Sequence, residues 1–272
     1  MTQITNKKLL ARVLGISRSS LYYKPKKPQK DWEMKTRIED ALHEHPSYGH
    51  KRLALYLKVN KKRVHRVMKL FGLRPYRIGA KKQRRYRKTA EAVYPNLLRD
   101  TPPQYPHHIW VSDFTHVVFQ GKNVYIATVM DLMTRSIVGC SVLTGHPVSL
   151  VMGALMHAVS TTRKTPTLIH SDQGSEYNCR EYTDLARSCG IQISMSRKGS
   201  PWENGYQESF YGKFKTDLGD PNRFSSLGEL VYAIYQTIHD YNTTRIHTAL
   251  KTSPLTFLEN YYAQAQNAGN GC

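Results

Sequence analysis

The hydrophobic pattern of the chain changes its period at Ile109, and this change limits the folds that the sequence can adopt. From there, residues 109–119 alternate in the manner of a strand, and two further strand-like runs, 124–132 and 136–143, follow after short polar turns. A period of two residues predicts β-strands, and tight turns between such strands predict an antiparallel meander. We therefore expect three consecutive strands of one sheet.

Helical and strand patterns alternate after this meander. We predict helices over 148–161, 180–190, 202–218 and 227–241, and short strands over 167–170 and 191–195. A meander followed by alternating helices and strands is the order of a ribonuclease H-like fold. The predicted fold class is thus α/β, a mixed five-stranded sheet flanked by helices, with small all-helical helix-turn-helix modules before it.

The segment before the sheet has helical periodicity. An apolar stripe predicts a first helix that ends at Gly15, and Ser17 is a suitable N-cap for a second helix over 17–23. Prolines predict a linker at 24–30, and the helical pattern resumes at about Asp31. The last of these helices follows Asn60, and its polar face predicts contacts with DNA phosphates through Lys61, Lys62, Arg63 and Arg66. A solvated basic helix is the alternative interpretation.

The charge of the chain is concentrated in this N-terminal part. The net charge is +20, and residues 1–105 hold 27 Lys and Arg against 7 Asp and Glu, whereas residues 106–272 hold 13 of each. Such an asymmetry favours a polyanionic partner, most simply DNA. A basic arm that binds membranes is less suitable, because these segments lack an apolar amphipathic face.

A dense basic stretch at 74–88 extends this charge, and we predict DNA contacts there at Lys81, Lys82, Arg84 and Arg85. We predict five segments along the chain. They are a helix-turn-helix-like segment with its linker (1–30), a helical DNA-binding module (31–73), a basic linker (74–105), the catalytic core (106–222) and a C-terminal helical extension (223–272).

Other classes of protein fit the sequence poorly. No apolar run is long enough for a membrane span, and the N-terminus lacks the pattern of a signal peptide, so we expect a soluble, cytoplasmic protein associated with the nucleoid. The four cysteines are scattered without a Cys-x-x-Cys pair, which predicts neither a disulfide framework nor a structural zinc site.

Three carboxylates occupy informative positions. Asp113 interrupts the first strand, Asp172 follows the fourth strand, and Glu208 lies on the next long helix, with 35 residues between the last two. Phosphoryl transfer uses such a set, because carboxylates can hold two divalent ions about 4 Å apart that stabilise the attacking and leaving oxygens. The spacing alone is weak, since some Asp and Glu of a chain with 20 of them fall at this distance by chance.

The helix that carries Glu208 has two predicted faces. Asn204, Glu208, Tyr211 and Lys215 follow one another at helical spacing, which predicts one face directed at metal and DNA. A separate apolar row, predicted to face the core, holds Tyr206, Phe210, Phe214 and Leu218. A solvated Lys215 is the alternative for that residue.

In combination, the motifs resemble one family. The chain is similar, over about residues 40–260, to the transposases encoded by the second reading frame of the third numbered family of bacterial insertion sequences, whose core is similar to retroviral integrase. The matching stretches include Trp110-x-x-Asp113-x-Thr115, His170-Ser171-Asp172-Gln173-Gly174, Ser194-Met195-Ser196-Arg197-Lys198-Gly199, Glu203-Asn204-Gly205-x-x-Glu208-Ser209 and His45-Pro46-x-Tyr48-Gly49-x-Lys51-Arg52.

This resemblance implies that Asp113, Asp172 and Glu208 are the catalytic residues and hold two divalent ions, Mg²⁺ or else Mn²⁺. It also implies that Lys215 contacts the transposon end, and we add Arg197, Lys198 and Asn204 as predicted DNA contacts. The implied reaction is strand cleavage at an element end followed by strand transfer, first between the two ends of one element and then from a circular intermediate into a target.

The implied partners are double-stranded DNA (the terminal inverted repeats and the target), further copies of the chain on that DNA, and the first-frame product of the same element. The chain shows no sustained heptad pattern of its own. Two alternatives remain open: a DNA-binding regulator of transposition without catalysis, and a ribonuclease H-like nuclease that only hydrolyses.

Overall fold

The computed structural model of the chain describes residues 7–22, 27–77, 94–196 and 205–269. Ten α-helices and five strands are formed in these ranges. The helices are α1 (Lys7–Val13), α2 (Lys27–Glu44), α3 (His50–Tyr56), α4 (Lys61–Leu70), α5 (Val148–Thr162), α6 (Ser175–Asn178), α7 (Arg180–Ser188), α8 (Gly205–Leu218), α9 (Leu227–Thr243) and α10 (Pro254–Gly269). The strands are β1 (Ile109–Phe119), β2 (Lys122–Asp131), β3 (Ile137–Leu143), β4 (Leu168–Ser171) and β5 (Gln192–Met195).

The strands form one mixed sheet in the order β3-β2-β1-β4-β5. The first three are an antiparallel meander, and β4 and β5 join it in parallel on the other side of β1. This arrangement confirms the predicted fold class, and it places β1 at the centre of the sheet. The strand β4 ends beside the middle of β1, because β1 continues from Val111, the partner of His170, to Phe119.

Apolar residues cover both faces of the sheet. α8 and α9 close one face with Phe210, Phe214, Leu230 and Ile234, and α5 and α7 close the other. α5 lies very close to β3: a Cβ atom on Gly139 would lie 2.2 Å from the carbonyl oxygen of Ala154. Only glycine fits this position of β3, because any side chain would overlap the helix backbone.

The helices α2, α3 and α4, with residues up to 77, form a second small core, which we call the helical module (residues 27–77). Met34, Ile38, Leu53 and Val67 are fully or almost fully buried in it. The side chain of Asn60 accepts a hydrogen bond from the backbone N–H of Lys62 at 2.8 Å, which confirms the predicted N-cap of α4.

Two details at the start of the chain differ from the sequence predictions. The segment after Ser17 forms a 3-10 helix over Arg18–Tyr22 instead of an α-helix. α2 begins at Lys27, four residues earlier than expected, and includes Pro28 in its first turn. Proline is tolerated there because the first turn of a helix needs no backbone N–H donor.

A set of polar side chains, one buried and two half-buried, joins the helical module to α8. Arg245 forms an ion pair with Asp217 at the C-terminal end of α8 and donates a hydrogen bond to Ser47 Oγ at 2.7 Å. Ser47 Oγ also donates to Asp217 Oδ1 at 3.2 Å. We call these three residues the Asp217 clasp. Beside it, the backbone N–H of Ile246 donates to the Tyr48 hydroxyl at 2.7 Å, so the module has a defined position against α8.

The segments on either side of the predicted core boundaries also pack against the sheet. Leu97 and Leu98 contact the core, and the backbone N–H of Leu97 donates to Ser194 Oγ at 2.9 Å. On the other side, α9 contributes Leu230, Ile234 and Tyr241 to the core. The domain boundaries remain predictions. No helix in the described ranges has the length and apolar character needed to cross a bilayer.

Candidate active site

Asp113 lies within β1, and Asp172 directly follows the end of the parallel strand β4. Val111 of β1 is paired with His170 of β4, so Asp113 and Asp172, each two residues further along, are placed next to each other. The backbone N–H of Phe114 donates to Asp113 Oδ1 at 2.8 Å, and the N–H of Gly174 donates to Asp172 Oδ1 at 3.0 Å. These hydrogen bonds orient both carboxylates.

Glu208 is brought to these carboxylates because α8 is anchored to the two central strands. The amide of Gln207, which is fully buried, donates to the carbonyl oxygen of Val111 at 2.8 Å and accepts from Thr128 Oγ1 at 3.2 Å. One turn later, the Tyr211 hydroxyl donates to the carbonyl oxygen of Asp113 at 2.6 Å and lies 2.8 Å from Thr128 Oγ1. Glu208, next to Gln207, is exposed.

These contacts change the predicted faces of α8. Tyr211 is buried and belongs to the core side with Gln207, whereas Tyr206 is 46% exposed and stacks under the Arg135 guanidinium at 4.0 Å. The prediction that Tyr206 faces the core and Tyr211 faces the site was wrong. The reason is the Thr128 hydroxyl on β2, which supplies a buried partner for Tyr211.

The carboxylates of the site influence one another. Burial of Asp113, and the nearby charge of Asp172 and then of Glu208, raise the pKa of the Asp113 carboxyl to about 7 against the opposing hydrogen bond from Phe114. Burial and the charge of Glu176 raise the pKa of Asp172, and the hydrogen bond from Gly174 acts in the opposite direction. A bound cation would therefore reduce the repulsion between these carboxylates.

The acids of the site can hold divalent ions in pairs: Asp113 with Asp172, and Asp113 with Glu208. Asp113 interacts with each of the other two acids, and none of the three forms an ion pair with a Lys or Arg in the described part of the chain. Within the same ranges, no three His, Cys, Asp or Glu side chains come close enough together to hold a single ion. Mg²⁺ accepts such a site, since it takes one or two carboxylates and completes its coordination with water and phosphate oxygens.

Two residues near Asp172 were not singled out in the sequence. Glu176 Oε1 lies 2.6 Å from His146 Nδ1, and that imidazole stacks on Phe114 with the ring centroids 5.9 Å apart. Burial acts to raise the pKa of Glu176, but hydrogen bonds from its own backbone, His146 and Ser175 lower it overall. Glu176 is thus a fourth carboxylate at the edge of the site, and only the fold brings His146 to it.

The predicted DNA contacts on α4 are in different situations. Lys61 and Lys62 are exposed. Arg63 donates to the carbonyl oxygen of Lys30 at 3.2 Å, and Arg66 forms two hydrogen bonds with Asp31, at 2.6 and 2.5 Å. Arg66 therefore holds α4 against α2, a role that the sequence did not reveal.

Of the other predicted contacts, Lys215 lies on α8 at the edge of a cleft between α8 and the helical module. It follows Glu208 by seven residues, which is two helical turns, so both side chains leave the same face. The remaining predicted contacts lie outside the described residues; they are Lys81, Lys82, Arg84, Arg85, Arg197, Lys198 and Asn204.

Comparison with known proteins places the chain in a family. Residues 103–201 match one family model described as an integrase core domain, and residues 189–254 match a second model of the same description. The chain is 33% identical over 266 residues to the protein InsK of the insertion sequence element IS150 of Escherichia coli strain K12, and the match covers 93% of each chain.

A second relative is the transposase for the insertion sequence element IS904 of Lactococcus lactis subsp. lactis, 34% identical over 242 residues, with 85% of this chain and 95% of the relative covered. Among solved structures, a chain of the simian T-cell lymphotropic virus intasome in complex with the PP2A regulatory subunit B56 gamma superposes with a TM-score of 0.51. It is 18% identical, and the match covers 80% of this chain and 73% of that chain.

The structural likeness shows a fold shared with retroviral integrases, whose core is ribonuclease H-like. The sequence relatives extend over almost the whole chain, which confirms the resemblance noted from the motifs and the polynucleotidyl transferase class. The chain belongs to the DDE transposases of bacterial insertion sequences, with an integrase-type core.

Proposed function

We propose that the chain cuts DNA at the ends of its insertion element and then joins each freed 3′-hydroxyl to a DNA strand by attack on a second phosphodiester. Asp113, Asp172 and Glu208 are the metal ligands in this proposal. The observation that carries this proposal is geometric: the pairing of Val111 with His170 brings Asp113 next to Asp172, and Gln207 anchors the helix of Glu208 to the same strand β1. Two divalent ions, Mg²⁺ or Mn²⁺, would when bound stabilise the attacking and leaving oxygens of the reaction.

The chain's own residues position these ligands. Gly174 allows Asp172 to accept the backbone N–H, because a Cβ at this position would lie 3.1 Å from Asp172 Oδ1. Gln207 and Tyr211 donate hydrogen bonds to carbonyl oxygens of β1, and these bonds fix the position of Glu208 relative to that strand. A rigid frame of this kind suits a reaction in which positioning supplies most of the catalysis.

DNA is the substrate in this proposal, and the basic N-terminal part binds it. The substrate is the terminal inverted repeats of the element and a target duplex, on which several copies of the chain assemble, with the first-frame product of the element as a further partner. The protein then acts in the cytoplasm on nucleoid DNA. The excess of 27 Lys and Arg over 7 Asp and Glu in residues 1–105 supports this substrate.

The test uses a duplex of the DNA that flanks the gene, labelled at its 3′ ends. Asp113→Asn and Glu208→Gln should each abolish joined products at any Mg²⁺ or Mn²⁺ concentration while the affinity for the duplex stays within about two-fold, because binding is electrostatic and distributed. The matched controls Asp100→Asn and Glu259→Gln, both at exposed positions, should keep full activity.

The alternatives give different results in the same experiment. A nuclease would leave free 3′ ends and no joined product. A regulator would bind the duplex without cleaving it. Strand transfer that survives either active-site substitution would show that the three acids do not form the catalytic set.

A further inference from the structure

The cleft between the helical module and α8 has the character of an anion site. It has a volume of about 610 Å³, and its walls come from both bodies. Lys51, Arg52 and Arg77 line it from the module, and Lys213 and Lys215 line it from α8. No Asp or Glu is among the lining residues in the described part of the chain.

These cations are held together by the fold. Burial, and then the charges of Arg52 and Arg245, lower the pKa of Lys213 to about 8 against the opposing effect of Asp217. Asp217 is already engaged by Arg245 in the Asp217 clasp. Among the described residues, the lining of the cleft is thus rich in cations, and a polyanion would reduce the repulsion between them.

The cleft continues the face of α8 that carries Glu208. Glu208, Gly212 and Lys215 are spaced by four and three residues, so they lie in one row along the helix. At about 1.5 Å per residue, Lys215 is about 10 Å from Glu208 along the axis, close to three steps of a DNA strand at about 3.4 Å each. A strand with its reacting phosphate at Glu208 would reach the cleft within a few nucleotides.

We propose that this cleft holds the sugar–phosphate backbone of the DNA that enters the active site of the same chain. The inference rests on the proposed function for its substrate, and it adds a site, Lys51, Arg52, Arg77 and Lys213, between the two bodies. Because the Asp217 clasp fixes both walls, the helical module and the active site of one chain grip one duplex in cis.

The first experiment measures duplex affinity against NaCl concentration for full-length protein in an Asp113→Asn background, which prevents cleavage. Lys51→Glu with Arg77→Glu removes two exposed cations of the cleft. Each lost phosphate contact should lower the salt slope by about 0.9, so the double variant should lose about 2 from the slope and about ten-fold or more in affinity at low salt.

The matched control carries the same change of charge elsewhere. Lys164→Glu with Arg99→Glu alters two exposed residues, one just after α5 and one in the segment that contacts β5, and neither lines the cleft. It should keep the slope within about 0.5 of the parent. Equal losses in both double variants would show a general charge effect and overturn the proposal, as would an unchanged slope in the cleft variant.

A second experiment needs no substitution in the cleft. Lysine acylation of the wild-type protein in EDTA, read by mass spectrometry, should show protection of Lys51 and Lys215 by duplex DNA and no change at Lys164. A duplex held only by α4 would protect Lys62 and Lys69 instead and leave Lys51 reactive, which would overturn the proposal.

Inorganic phosphate and a mononucleotide are parallel arms of this experiment, because a free phosphate has the same chemistry as a backbone phosphate. Protection of Lys51 by inorganic phosphate, but not by the duplex, would identify a small-anion site and refute a DNA path. If strand transfer depends on Asp113 while Lys51 stays reactive on DNA, the cleft proposal fails and the proposed function stands.

Discussion

The raised pKa of Asp113 predicts that Asp113→Asn stabilises the metal-free protein at high pH. In the folded chain this carboxyl is buried beside Asp172 and Glu208, with a pKa of about 7, whereas a typical aspartate in the unfolded chain titrates near 3.9. Asparagine keeps the size of the side chain, and its carbonyl oxygen can still accept the hydrogen bond from Phe114. The substitution therefore removes the charge with little change in packing.

The magnitude follows from the difference between the two pKa values. Well below the unfolded value of about 3.9, the carboxyl is protonated in both states and its burial has no cost in ionisation. As the pH rises toward 7, only the unfolded state loses its proton, so the folded wild type is progressively destabilised. The full difference corresponds to about 4 kcal/mol, at about 1.36 kcal/mol for each pH unit. Since solvent reaches part of the side chain, we expect a gain of about 2 to 4 kcal/mol for the Asn variant at pH 8.

The assay is urea unfolding in EDTA at pH 8 and at pH 4.5. Other titrating groups are common to both proteins, so the difference in the free energy of unfolding between variant and wild type isolates Asp113. The difference should be 2 to 4 kcal/mol at about pH 8 and within about 1 kcal/mol of zero at pH 4.5. Asp100→Asn, at an exposed position, serves as the control and should show no such dependence.

Two results would refute the reasoning. A variant that is no more stable than wild type at pH 8 would mean that Asp113 is neither buried nor close to the other two acids in the folded chain. A gain of equal size at both pH values would point to better packing instead of charge. Added Mg²⁺ should reverse the order, because only the wild type gains binding energy from the ion, by RT ln(1 + [Mg²⁺]/Kd).

Three further predictions concern the frame around the site. Gln207→Leu should lower the free energy of unfolding by about 2 kcal/mol and strand transfer by about 100-fold, because Glu208 loses its anchor; wild-type activity would contradict this. Gly139→Ala should destabilise by at least about 2 kcal/mol in thermal unfolding, whereas Gly228→Ala, where the nearest atom lies at 3.8 Å, should change little; equal effects would contradict the close contact of α5 with β3. Arg245→Met should destabilise by about 3 kcal/mol and expose residues 27–77 to limited proteolysis, and an unchanged digestion pattern would show that the Asp217 clasp does not hold the module.

The sheet could be predicted well because its signal is local. The strand-like pattern from Ile109 to Phe119 identifies β1 at its observed bounds, although the first four residues of the strand are buried on both faces of the sheet. The capping of α4 by Asn60 is local in the same sense. Short or proline-containing segments were harder, since a five-residue 3-10 helix and the proline in the first turn of α2 leave only weak patterns.

The site could be predicted only in part, because its contacts are between distant residues. The positions of Asp113, Asp172 and Glu208 relative to strand ends could be read from the chain. The sequence could not show that Tyr211 is buried and Tyr206 is exposed, because both are tyrosines near one edge of the apolar row. The buried partner of Tyr211 is the Thr128 hydroxyl, on a distant strand. The ion pair of Arg66 with Asp31 is similar: a basic helix looks alike whether its arginine meets phosphate or a carboxylate of the next helix.

The Asp217 clasp has a consequence for exchanging parts between relatives. Its three members come from the loop before α3, the end of α8 and the segment after α9, so no single stretch of the chain contains the whole joint. A helical module grafted from another transposase onto this core would meet an arginine and an aspartate that are both hydrogen-bonded to a serine hydroxyl in this chain. A working chimera must therefore carry over the residue at position 47, or change positions 217 and 245 along with it.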